Sequence, residues 1–312
     1  IDGENANDVF AYVVSMSSDG TRVAIGTPYN DDGGTNAGHV RVYDWNSGTS
    51  LWDKVGSDID GEAAGDYSGW SISLSGDGSR LAIGAYKNKG VTGTRTQAGH
   101  TRVFVWSSGS WSQVGSDIDG PGNAYDSSGW SVSLSSDGTR LAVGSTLHDS
   151  NGYNNGLVRV YSESSGNWNQ IGLDLAGEDA QDQFGSSVSL SSDGTRVAVG
   201  AIYNKPLGVN PRGAAYVYSE SGGSWTQMGS DIDGEADFDR FGFAISLSSD
   251  GTRVAIGAFL NEGGLTGGYD DEDAGHVRVY DWDATSSQWT QLGSDFDGDA
   301  AYEYYGQHVS IS

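Results

Sequence analysis

The chain of 312 residues contains no cysteine, which excludes disulfides, thiolate metal centres and a cysteine nucleophile. Proline is scarce, at 4 residues, so Pro-rich linkers and collagen are excluded despite 49 glycines. Basic residues are few: 16 Lys and Arg stand against 42 Asp and Glu, a formal net charge of -26. That balance argues against nucleic acid and anionic membrane surfaces as partners. No apolar run reaches the ~18 residues that a membrane-spanning helix needs, so no membrane insertion is expected. No Asn-x-Ser/Thr sequon occurs. What the chain does have is aromatic rings, with 10 Trp and 16 Tyr, too many for a disordered acidic segment.

A repeat organises these residues. Asp58-Ile59-Asp60-Gly61 returns as Asp117-Ile118-Asp119-Gly120 and Asp231-Ile232-Asp233-Gly234, with weaker copies at Asp174 to Gly177 and Asp295 to Gly298. Ile1-Asp2-Gly3 is the tail of another copy. The repeats run approximately over 3–60, 61–119, 120–176, 177–233 and 234–297, with a partial copy over 298–312. Each holds four short segments of strand character. Two alternating runs flank an Asp-Gly hairpin, as in Ser187-Val188-Ser189-Leu190 and Arg196-Val197-Ala198-Val199 around Asp193-Gly194. A third alternating run follows, as in His276 to Tyr280, and a fourth carries a tryptophan, as in Trp289. No segment shows a helical stripe.

Four antiparallel strands per repeat predict an all-β fold, a β-propeller with one blade per repeat. The prediction is a single propeller domain over 1–312 with five complete repeats and one extra first strand, which a ring of six or seven blades would accommodate.

Several columns recur in every repeat. Trp52, Trp111, Trp168, Trp225 and Trp289 read as packing between neighbouring blades, because a repeating core needs the same bulky residue each time. Arg22, Arg80, Arg140, Arg196 and Arg253 each follow an Asp by three residues, which reads as an ion pair across the hairpin. His39, His100 and His276 open the third segment and read as caps of that strand.

Two columns invite a functional reading. The acid phrase resembles part of a calcium loop, since hard cations want several oxygens in a short turn. Its candidate ligands are Asp58, Asp60, Glu62 and Asp66, and Asp231, Asp233, Glu235 and Asp239, with Ca2+ the expected cofactor. Asx-turns and capping between blades are the structural alternative. The second column, Tyr12, Trp70, Trp130, Ser186, Phe243 and Gln307, varies while its neighbours do not. Its aromatic members, Tyr12, Trp70, Trp130 and Phe243, are candidates for stacking on a sugar; packing at the strand entry is the alternative. Loops from Asn30 to Asn36, Lys87 to Gln97, His148 to Asn155 and Asn261 to Asp273 differ most between repeats, and such loops on a rigid scaffold carry recognition.

Phe184-Gly185, Val199-Gly200-Ala201 and Ala215-Tyr216-Val217-Tyr218, with Phe241-Gly242 and Ile256-Gly257-Ala258, resemble the FG-GAP repeat of integrin α-subunit propellers. The Ser-Ser-Asp-Gly-Thr-Arg turn also resembles WD40-type and TolB-type blades. The resemblance implies a propeller that binds ligands on one face. The family's calcium loop between the first two strands is replaced here by the short turn Ser191 to Arg196.

With no catalytic constellation outside the repeat, the expectation is a non-enzymatic, extracellular or cell-surface recognition or adhesion module. Its partner would be a protein or a glycan. A structural subunit of a surface layer, appendage or filament, assembling with copies of itself, is the alternative, and a polysaccharide-degrading propeller enzyme a third.

Overall fold

The computed structural model describes residues 1–3, 8–90, 96–122, 124–205, 210–261, 273–300 and 302–312. Among these residues every regular element is a strand, and no helix is long and apolar enough to cross a membrane.

The first sheet shows the plan. Strands β1 (Val13–Met16), β2 (Arg22–Thr27), β3 (His39–Asn46) and β4 (Leu51–Lys54) pair in that order. The pairing is antiparallel throughout. A short β5 (Ile59–Asp60) pairs with the opening residues of β3, so that Asp60 stands opposite His39. The fourth strand is therefore broken into two pieces. The middle of the acid phrase, expected as a turn, is itself strand. Four more sheets repeat this arrangement. This is the blade of a β-propeller, and the fold is all-β.

The hairpin between β1 and β2 is built locally. Gly20 takes a φ of 70°, and Asp19 accepts from Ser17 Oγ at 2.7 Å and from the Thr21 amide at 2.9 Å. Asp19 is thus occupied by its own turn. The expected Arg22–Asp19 pair gives way to Arg22 on Asp44 of β3 at 2.6 Å, with a further bond to the Gly78 carbonyl of the next hairpin at 2.9 Å. Arg196 repeats the second bond, onto the Gly251 carbonyl at 2.9 Å.

Successive sheets bury apolar faces against each other. Ala24, Val40 and Val42 of the first sheet pack with Ile72, Leu74, Leu81 and Ile83 of the second. Ala198, Ala215 and Val217 pack likewise with Ile245, Leu247, Val254 and Ile256. The tryptophan column seals these layers. Trp111 Nε1 donates to the Val55 carbonyl at 3.3 Å, Trp168 to Val114 at 3.1 Å and Trp289 to Met228 at 2.9 Å. The blade-packing reading of that column is the one the structure shows.

The glycines of the repeat have a steric reason. A Cβ on Gly84 would lie 2.1 Å from the Gly129 carbonyl oxygen, and one on Gly200 would lie 2.0 Å from that of Gly242. Second strands of one blade and first strands of the next touch backbone to backbone there, so no side chain fits.

The chain divides into two compact units. The first comprises 1–148 and 159–171; the second comprises 149–158 and 172–312. In the second unit the segment predicted as an extra first strand, Gln307 to Ile311, forms no ladder. Its Ile311 amide nevertheless donates to Ser246 Oγ at 3.0 Å, as the Leu247 amide does to Ser189 Oγ. It lies in the place of a first strand. A groove of about 530 Å³ opens beside it, lined by Val277, Phe296 and Tyr305 among others.

Candidate functional site

The acid phrase scatters its side chains. Asp58 accepts from Arg41 at 3.0 Å and from Lys54 at 2.5 Å. Burial opposes its charge, but these two cations hold it below the usual carboxylate range. Asp66 is buried; it caps the Ala63 amide at 3.0 Å and accepts from Asn88 at 3.0 Å. Asp239 does the same for the Ala236 amide at 2.8 Å. Burial raises the carboxyls of Asp66 and Asp239, the latter to about 6. Asp231 accepts from Gln227 at 2.8 Å, and burial together with Asp231 raises Asp233. These acids are structural caps and ion-pair partners, each aimed differently.

The glutamates of the phrase behave otherwise. Glu62 turns toward the next blade and meets His100 Nδ1 at 3.8 Å, while Asp117 reaches the same nitrogen at 3.9 Å. Glu235 repeats this on His276 Nδ1 at 3.6 Å, with Asp295 at 4.0 Å. In each group one imidazole nitrogen and two carboxylate oxygens lie within 4.8 Å of one another. The strand pairing explains the placement. Asp119 stands opposite His100 and Asp297 opposite His276, so the Asp two residues earlier falls beside the ring. Burial, and then Arg102, lowers His100 to about 4. Burial and Arg278 lower His276 as well, so both rings are neutral at pH 7. Arg278 bonds Glu235 and, at 2.7 Å, Asp295.

The aromatic column condenses in the first unit. Trp70 lies 4.8 Å from Tyr12 and 5.0 Å from Trp130, centroid to centroid. Tyr86 sits 4.6 Å from Trp70 and 5.7 Å from Tyr67, which meets Tyr29 at 5.4 Å. Six rings from three successive blades thus form one shelf. Tyr12 is exposed at its rim, and Tyr86 is buried beneath. The Lys87 ammonium stands 4.2 Å over the Tyr67 ring. Burial works against its charge, but the Tyr86 and Tyr67 hydroxyls offset this and leave it above its ordinary range. Burial, then Tyr29, pushes Tyr12 up to about 12.

Phe243 belongs to the second unit, where it packs on Phe259 at 4.4 Å. There the register of Trp130 is held by Ser186, whose hydroxyl donates to the Gly200 carbonyl at 3.0 Å. Of the four predicted stacking residues, the structure joins Tyr12, Trp70 and Trp130. Sequence reasoning missed Tyr29, Tyr67, Tyr86 and Lys87. The signal was present as fixed offsets in each repeat: the residue after Asp66 and the two after Ala85. Of the variable loops, residues 91–95 and 262–272, including Asp270, Asp271 and Glu272, lie outside the described residues.

Two stretches, 59–104 and 176–218, match the FG-GAP repeat. Those two stretches are similar to the FG-GAP repeat. Among solved structures, a "putative 6-phosphogluconolactonase" from Bacteroides uniformis is similar, with 11% identity, TM-score 0.53, and 93% of this chain and 86% of that chain covered. The periplasmic gluconolactonase PpgL of Pseudomonas aeruginosa matches with 16% identity and TM-score 0.47, covering 92% and 86%. A "putative TolB" from Agrobacterium tumefaciens matches with 15% identity and TM-score 0.51, covering 97% and 85%. No sequence match is found among the curated proteins.

The expectation of a non-enzymatic recognition or adhesion module is overturned here, and the filament or surface-layer alternative falls with it. The first rested on repeat-wide columns, an acidic polar surface and the lack of a catalytic constellation in the sequence. The same blade architecture, over most of this chain, is that of a protein described as a lactonase. The columns mark the fold and carry no argument against an enzyme.

Proposed function

We propose that this chain is a hydrolase of a neutral, sugar-derived cyclic ester, held on the aromatic shelf of the first unit. The shelf is the observation that carries this reading. Tyr12, Trp70 and Trp130 present ring surface of the kind on which the C–H face of a sugar ring packs, with hydroxyls and an indole N–H for its polar edge. The net charge of -26 and the single lysine at the shelf disfavour a phosphorylated sugar and favour a neutral one. Lys87 supplies a fixed positive charge over the rings, where it would stabilise the oxyanion formed when water adds to the ester carbonyl. Collapse of that intermediate breaks the ring acyl C–O bond, the departing alkoxide takes up a proton shed by the added water, and a hydroxy acid leaves. A strained cyclic ester needs little more, because its carbonyl is already reactive toward water. The description of a fold neighbour as a lactonase is in keeping with this reaction class. An extracellular or cell-surface setting goes with the FG-GAP repeats and forms part of the proposal.

The test is hydrolysis of a panel of neutral aldonolactones, followed by proton release against the buffer rate. Acceleration by the native chain that is lost in Lys87→Met and Trp70→Ala, with unchanged melting, supports the reading. A folded chain that leaves every lactone at its buffer rate overturns it.

A further inference from the structure

We propose that the Glu62–His100–Asp117 and Glu235–His276–Asp295 groups are two equivalent sites for a divalent transition-metal ion of the zinc type, one in each unit.

The geometry is that of a shell waiting for a centre. His276 is wholly buried, and neither of its ring nitrogens makes a hydrogen bond. An unpaired buried imidazole is costly, so such an atom calls for a partner. Its Nδ1 faces Glu235 Oε1 at 3.6 Å and Asp295 Oδ2 at 4.0 Å, too far to bond either. Ligands bound at roughly 2.0–2.2 Å to one tetrahedral ion stand about 3.4 Å apart. The observed spacings therefore need only a slight contraction around an ion. Glu62, His100 and Asp117 reproduce the arrangement at 3.8 and 3.9 Å.

The internal repeats vary at these positions. In the third repeat the histidine position is Leu157 and the position following the repeat glycine is Pro121: imidazole and carboxylate are lost together. The fourth repeat keeps the acid as Glu178 but has Ala214 for the histidine and Tyr216 for the arginine, and the tyrosine hydroxyl accepts from Asn204 at 3.0 Å. Glu4 stands in the same relation to His39 in sequence, but it lies outside the described residues.

The donor set chooses the ion. A neutral imidazole with two carboxylates suits zinc and its neighbours, whereas Ca2+ takes six to eight oxygens. Arg278 borders the site: it bonds Glu235 through Oε2 and Asp295 through Oδ2 at 2.7 Å, and Asn261 donates to Glu235 Oε1 at 3.1 Å, so a bound ion shares these oxygens with those donors. This inference is independent of the hydrolase reading, which uses none of these residues.

Zinc bound after equilibrium dialysis of the full chain, measured by elemental analysis, tests it, with Co2+ absorption as a report on coordination. Glu62 and Glu235 are 44% and 45% exposed, so the double variant E62Q/E235Q keeps the fold, which melting verifies. The expected result is two zinc equivalents fewer in that variant, one fewer in H276Q, and no displacement by equimolar Ca2+. Equal zinc in the native chain and E62Q/E235Q, no zinc in the native chain, or displacement by equimolar Ca2+ would each overturn the proposal. Should H276Q fail to fold, E235Q alone decides the second site.

Discussion

The two units share a backbone plan and differ in what they hang on it. Each has the Asp-Gly hairpins, the sealing tryptophans and the glycine contacts between blades. Among the described residues each also has one Glu–His–Asp group. At the strand entry they part: the first unit places Tyr12, Trp70 and Trp130 there, and the second Ser186 and Phe243. A repeat protein keeps its nearest-neighbour contacts constant because every blade must stack on the next. Positions outside those contacts are free to specialise, and the strand entry is one of them. The lesson is that constancy locates the scaffold and variation locates the chemistry.

That comparison can be attacked at the shared contacts first. Gly84→Val in the first unit and Gly200→Val in the second should be about equally damaging. A Cβ at either lies within 2.1 Å of a facing carbonyl oxygen, so each costs about 3 kcal/mol, the upper end of the overpacking range. Chemical denaturation checks it, and a clear difference between the two would break the claim of a common backbone plan. Next come Trp111→Ala and Trp289→Ala, expected to cost about 3 kcal/mol each. Here too the two units should respond alike.

The buried acids give a pH effect. Asp239 is raised to about 6 by burial, against roughly 3.9 in an unfolded chain. The folded state therefore holds that proton more tightly. Stability from this group is greatest below pH 4, declines as pH rises to 6, and is flat above. Relative to Asp239→Asn, the native chain should lose melting temperature between pH 4.5 and 7; a difference independent of pH would refute the shift. General repulsion from the acidic surface cancels, because both proteins share it.

Smaller effects concern the difference itself. Trp70→Ala should raise KM for a bound lactone about fivefold, from roughly 1 kcal/mol of lost stacking, while Phe243→Ala leaves it unchanged. Equal effects from both would end the functional contrast between the units. The smallest change is expected for Arg253→Met, which removes a half-exposed pair with Asp281. Its effect on stability should be near the limit of detection and vanish in high salt.

The sequence by itself determined the blade. Alternation, Asp-Gly turns and a recurring tryptophan state the strand count and the packing column outright, because these are local or strictly periodic signals. It also named Tyr12, Trp70 and Trp130. What it could not show was who meets whom across blades. Asp19 precedes Arg22 by three residues, yet the turn claims Asp19 and the arginine goes to Asp44. Glu62 looks like a partner of Asp58 and Asp60, yet Arg41 and Lys54 claim Asp58 and the next blade brings His100 to Glu62. The tertiary structure decided these pairings, since they depend on the stacking of one sheet on another, a relation that no spacing within a repeat encodes.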